Sequence, residues 1–225
     1  PEDIAKFKGK YAEGWDALRE SRYQRQVEMG LIDPEKFSDP GPNPNNKSWS
    51  AGKNADLEWE LLRMETYAAM VHAMDRNIGR VLDTLEELEI ADNTLIMFLS
   101  DNGACPESPG GDGNTEHRPG PKERYSHVGP TRAYAQNSPF KRYKSHTHEG
   151  GVATPFVARW PAKIKAGSRS EQVGHIIDFL PTFLDAAGAD YPVTRGDDPL
   201  LLLEGISLLP VLSGEKDSIA RPAPL

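Results

Sequence analysis

The chain has 225 residues, enough for one large or two small domains that bury roughly 70% of the unfolded surface. Its 26 Lys and Arg against 34 Asp and Glu give a net charge of −8 with no basic block, which argues against nucleic acid or an anionic membrane as the main partner. One cysteine excludes an intrachain disulfide framework and a cysteine-based metal cluster, and no apolar run approaches the ~18 residues of a membrane span.

Mean hydropathy is −0.60. With 20 Gly and 19 Pro, this points to a fold rich in ordered loop. The opening Pro1-Glu2-Asp3-Ile4 has neither Met nor a signal-peptide pattern, so the chain is expected to begin inside a longer one. Residues 4–29 space Ile4, Phe7, Tyr11, Trp15, Leu18, Tyr23 and Val27 as one or two short amphipathic helices would, ending at Gly30 and lying at the periphery. Residues 38–50, with three Pro and three Asn, read as an extended surface loop.

From Leu57 to Leu88 apolar residues recur every three or four positions, which predicts a long helix with one buried stripe, ended by the turn at Ala91-Asp92-Asn93. Thr94 to Ser100 is a continuous apolar run, as in a strand covered on both faces, and a long helix feeding such a strand suggests a parallel α/β sheet. Residues 103–143 are rich in Gly and Pro without periodicity and read as a long loop at the active edge. Residues 101–150 hold 7 Lys and Arg against 6 Asp and Glu, and include His117, His127, His146 and His148, so the one non-acidic stretch coincides with that loop. A second strand is expected at Pro155 to Arg159. A short helix follows from Asp178 to Ala187, with Pro181 in its first turn and Gly188 as its cap. Residues 200–212 form an apolar, Pro-punctuated tail.

Ligands of open α/β sheets bind beyond the carboxyl ends of strands, and the strand at 94–100 runs straight into Asp101-Asn102-Gly103. A carboxylate beside an amide oxygen is a hard-oxygen pair suited to Ca²⁺ or Mg²⁺, although Asp-Asn-Gly is also a common turn and two ligands do not complete a shell of six or more. The basic run Lys141-Arg142-Tyr143-Lys144, leading to Gly150-Gly151, suits an oxyanion or simply a solvated loop. His146 and His148 are spaced for one face of a strand, but the spacing supplies no third zinc ligand. Cys105 reads as structural. His72, Asp75 and His175 read as packed or capping residues rather than catalytic ones.

In combination these segments are more specific. Tyr67 through Gly79, Asn93 through Gly103, Lys144 through Gly151, Thr154-Pro155-Phe156 and Ile177 through Thr182 resemble, in order and spacing, the sulfatase family and its arylsulfatase branch. The resemblance implies an α/β, alkaline-phosphatase-like sandwich with a mostly parallel central sheet, of which residues 1–225 are a middle-to-late part of the catalytic domain. It implies hydrolysis of a small-molecule or glycan sulfate ester through a formylglycine nucleophile installed upstream by a maturation enzyme. It also implies Ca²⁺, ahead of Mg²⁺, held in part by Asp101 and Asn102, and sulfate contacted by Lys144, six residues before Gly150, rather than by Lys141. A periplasmic or secreted location follows from the same resemblance. Cys105-Pro106-Glu107-Ser108-Pro109 departs from the Cys/Ser-x-Pro-x-Arg formylglycine motif, so no nucleophile is expected here and the isolated chain is expected to be inactive. A phosphomonoester or phosphonate hydrolase, or a non-catalytic binding protein of the same fold, stays open as an alternative.

Overall fold

The computed structural model describes residues 2–39, 41–43, 57–107, 119–121 and 127–221. Along the chain run α1 (Glu2–Ala5), α2 (Trp15–Glu28), α3 (Leu57–Glu87), β1 (Ile96–Leu99), α4 (Gly129–Gln136), α5 (Glu149–Val152), β2 (Phe156–Arg159), α6 (Phe179–Ala187), β3 (Thr194–Arg195), β4 (Asp198–Pro199) and α7 (Leu209–Leu212). They form two compact units, one of residues 1–81 and 102–155, the other of residues 82–101 and 156–225. No described helix is long and apolar enough to cross a membrane.

The core of the first unit is Tyr11, Trp15, Met64 and Ala135, flanked by Phe7, Leu18, Leu61, Tyr67 and Ala68. The N-terminal segment is therefore not peripheral: Tyr11, Trp15 and Tyr23 are all buried. Each such ring removes ~150–250 Å² from water, enough to draw a polar helix inward despite its charges. The long helix forms where its periodicity predicts, but its buried positions cluster at Arg63, Met64, Glu65, Thr66 and Ala69. Further along, Val71, Met74 and Val81 are exposed, because the aromatic cluster reaches only the first turns.

Within the stretch expected to be continuous loop, Gly129–Gln136 is helical, with Pro130 in the first turn and Arg132, Ala133, Tyr134 and Ala135 buried. At two turns it is too short to establish a periodicity. Burial pushes the Arg132 guanidinium down to about 10, and Glu60 is its ion-pair partner. The end of α4 is held by α2: Arg19 donates to Tyr134 O at 2.6 Å, Arg22 to Ala135 O at 3.0 Å and Gln26 to Ser138 O at 3.1 Å. Cations at a helix C-terminus meet the negative end of its dipole as well as its orphan carbonyls. Most of the expected surface loop at 38–50 lies outside the described residues.

In the second unit β1 pairs with β2, Ile96 opposite Arg159 and Leu99 opposite Phe156. The pairing is antiparallel, as is that of β3 with β4, so the parallel arrangement expected of the sheet is not found among the described strand pairs. A continuous apolar run reports apolar faces and carries no information about strand direction. Those faces are also partly open here, with Phe98 and Val157 exposed, while Phe156 packs against Phe179 of α6 at 5.6 Å between ring centroids. Helix α6 starts and stops as its sequence predicts, and Gly188 takes the left-handed cap at φ 62°.

Candidate functional site

Beyond Leu99 the backbone leaves β1 through Ser100 into Asp101, which is exposed, Asn102, which is half-buried, and Gly103, which is buried. The boundary between the two units falls after Asp101. On the far side of it, residues 103–104 lie directly against the loop that carries Lys144. Gly103 N donates to Gly151 O at 3.1 Å, and Lys144 N donates to Ala104 O at 3.1 Å.

This approach explains the glycines. A Cβ on Gly103 would lie 1.7 Å from the Gly150 carbonyl oxygen, and one on Gly151 would lie 1.9 Å from His146 O. Only a residue without a side chain at 103 lets the turn after β1 touch the Gly-Gly segment, whereas Gly150 and Gly151 are required by close packing against carbonyls of their own loop. Gly150 and Gly151 belong to the single helical turn α5, whose last N–H groups return to His148 O and Glu149 O. Arg142 and Ser145 have φ of 69° and 75°, so left-handed residues flank Tyr143 and Lys144.

The Lys144 side chain is about one-third exposed, and its Nζ lies 2.8 Å from Glu107 Oε1. Donation from Lys144, its charge, and a hydrogen bond from Cys105 hold the Glu107 carboxyl below the usual carboxylate range. Lys141 is exposed, and its carbonyl accepts from Gly150 N at 3.1 Å. Cys105 is a half-buried free thiol.

Of the histidines, His146 packs edge-on against Tyr143 at 4.9 Å and lies 6.3 Å from the His148 ring. His72 packs against Phe7 and lies 3.0 Å from Lys6 Nζ, while Asp75 is exposed rather than on a buried stripe. His175 is a capping residue: its Nδ1 accepts from Ile177 N, and its own N–H donates to Asp178. His127 is half-buried, and His117 lies outside the described residues. Among the described residues no group of three or more His, Cys, Asp or Glu side chains is placed to hold a metal ion. Asp101 and Asn102 offer hard oxygens of the type Ca²⁺ takes, as part of a shell.

Three features escape sequence reasoning: Asn137, whose side chain bonds three separate backbone positions, the Glu107 partner of Lys144, and the Arg19, Arg22 and Gln26 set under α4. Their partners lie 13 to 120 residues away in most cases, beyond any local pattern.

The family model of sulfatases matches residues 3–189. The chain belongs to the sulfatase family. It is 35% identical over 204 residues to an uncharacterized sulfatase of Schizosaccharomyces pombe, covering 85% of this chain and 37% of that protein. An arylsulfatase of Klebsiella aerogenes is 30% identical over 219 residues, 91% of this chain and 46% of the enzyme. The human N-acetylgalactosamine-6-sulfatase is 34% identical over 146 residues, 65% of this chain and 23% of that protein. This sulfatase chain thus spans less than half the length of these relatives. The crystal structure of Ps i-CgsB in complex with k-i-k-neocarrahexaose matches with a TM-score of 0.51 at 24% identity, covering 90% of this chain and 39% of that one, a likeness of fold. The fold is the alkaline-phosphatase-like α/β fold of the family, present here in part.

Proposed function

We propose that the protein carrying this chain hydrolyses sulfate esters, R–O–SO₃⁻ + H₂O → R–OH + SO₄²⁻ + H⁺, with a formylglycine nucleophile that lies outside residues 1–225. The observation that supports this reading most is the direct backbone contact between residues 103–104, which follow the Asp-Asn pair, and the loop of Lys144. In it Lys144 supplies a compact cation to a sulfate oxygen, where negative charge is strengthened in the transition state. Asp101 and Asn102 hold part of a Ca²⁺ shell, and that ion when bound adds positive charge at the sulfuryl oxygens. A small aryl or glycan sulfate is the substrate class, a formylglycine-generating enzyme the maturation partner, and a periplasmic or secreted compartment the location.

The test is steady-state hydrolysis of 4-nitrophenyl sulfate by the complete natural polypeptide. Lys144→Ala and Asp101→Ala are each expected to lower kcat/KM by about 10²–10³-fold, the size of one lost transition-state contact. Asp101→Ala should also weaken Ca²⁺ binding in calorimetry, and equal binding by both proteins would remove it from the metal shell. Residues 1–225 alone are expected to show no turnover. Preferential hydrolysis of 4-nitrophenyl phosphate would overturn the sulfatase reading in favour of a phosphomonoesterase.

A further inference from the structure

Asn137 sits at the C-cap of α4, and its one side chain reaches three backbone positions. Oδ1 accepts from Ala104 N at 2.9 Å, and Nδ2 donates to Arg142 O at 3.0 Å and to Gly150 O at 2.7 Å. The first partner follows the Asp-Asn-Gly turn. The other two lie on either side of Lys144 in sequence, so the amide clamps both arms of its loop to the turn.

Ala104 is held from both of its backbone groups, since its carbonyl accepts from Lys144 N while its N–H goes to Asn137. The pattern needs one acceptor and two donors on one short side chain, which a carboxamide supplies; an ionised carboxylate would turn oxygen toward two carbonyls. The amide itself stands on a fixed base, because Arg19 and Arg22 secure the end of α4 and Gln26 secures Ser138, the residue after Asn137. Arg142, whose carbonyl Asn137 holds, has a left-handed backbone that a non-glycine residue keeps only where its surroundings over-determine it.

We infer that Asn137 is a positioning residue of the sulfate site: it touches no substrate and fixes where Lys144 stands relative to residues 102–104. The inference rests on the sulfate-ester reading above. A displacement of about 1 Å in a group contacting the reacting centre can cost on the order of 10²-fold in rate.

The experiment compares wild type, Asn137→Ala, Lys144→Ala and the double variant of the complete natural polypeptide, by steady-state hydrolysis of 4-nitrophenyl sulfate with thermal melting in parallel. Asn137→Ala is expected to lower kcat by about 10–10²-fold while KM moves less than about threefold. The double variant should be no slower than Lys144→Ala alone, because Asn137 acts through that lysine. If Asn137→Ala fails to fold, Asn137→Ser carries the same comparison, retaining one hydrogen bond and losing part of kcat. Kinetics within twofold of wild type for the folded variant, or a loss that multiplies with that of Lys144→Ala, would overturn the inference while leaving the sulfate reading intact. Wild type inert toward the sulfate ester, or unaffected by Lys144→Ala, would instead bring down the reading and the inference together.

Discussion

Two polar side chains, one in each compact unit, each join three chain segments, and they do so with opposite chemistry. Asn137 uses a neutral amide, half-buried, and spends all three of its contacts on backbone near Lys144. Asp178 uses a fully buried carboxylate that accepts from His175 N at 2.8 Å, Ile206 N at 3.0 Å and the Arg221 guanidinium, with Nη1 at 2.9 Å. Burial pushes the Asp178 carboxyl up, but donation from Arg221 and the two amides outweighs it and holds the group below its ordinary value. The difference separates two jobs. A buried charge makes its unit depend on one matched cation and on pH, whereas an amide sets geometry without a protonation state to lose.

The largest effect should come from breaking the charged hub. Arg221→Ala leaves the Asp178 carboxylate buried without its cation, a change that typically costs about 3–5 kcal/mol. Urea denaturation of the complete polypeptide should register it, and a loss under about 1 kcal/mol would mean the carboxylate is not the keystone of this unit. Because the folded carboxyl titrates below its unfolded reference of about 3.9, its contribution is present above that pH and is lost as pH falls through the lower folded value. Asp178→Asn should therefore flatten the acid limb of the stability profile, while Asn137→Ala should leave its shape unchanged.

A smaller effect probes the backbone contact that Asn137 clamps. Gly103→Ala places a methyl group 1.7 Å from the Gly150 carbonyl oxygen, so the two segments must separate, at a cost of about 1–3 kcal/mol. Gly79→Ala is the control, since Gly79 lies inside α3 with nothing within 4 Å of an added Cβ. There alanine should stabilise by up to about 1 kcal/mol. Equal melting temperatures for the two variants would show that the contact at Gly103 is loose.

What the sequence discloses follows from the range of its signals. The helix at 57–87 extends over many turns, so its apolar repeat declares it, and Pro181 with Gly188 marks both ends of α6. The turn after β1 and the Lys144 loop are visible as motifs because their chemistry is written in neighbouring residues. Antiparallel pairing of β1 with β2 is not visible, since it joins residues about sixty apart and no local pattern encodes direction. Nor are the Asn137 contacts: a lone Asn before Ser-Pro reads as a turn residue, and its partner at Ala104 lies 33 positions earlier. The N-terminal aromatics were legible as apolar positions, yet their burial depends on Met64 and Ala135, which come from elsewhere in the chain.

The smallest expected change in stability is also the sharpest probe of Lys144. Its ion pair with Glu107 is exposed, and exposed pairs contribute little to folding, so Glu107→Gln should leave the melting temperature where it is. Glu107 nevertheless stays ionised at neutral pH, since donation from Lys144 holds its carboxyl below the usual range, and on the proposed sulfate reading a sulfate oxygen would compete with it for the same ammonium. Removing that negative charge should tighten inhibition by inorganic sulfate severalfold, with the gain fading as salt screens the site. An unchanged inhibition constant at low salt would show that Glu107 does not compete for Lys144.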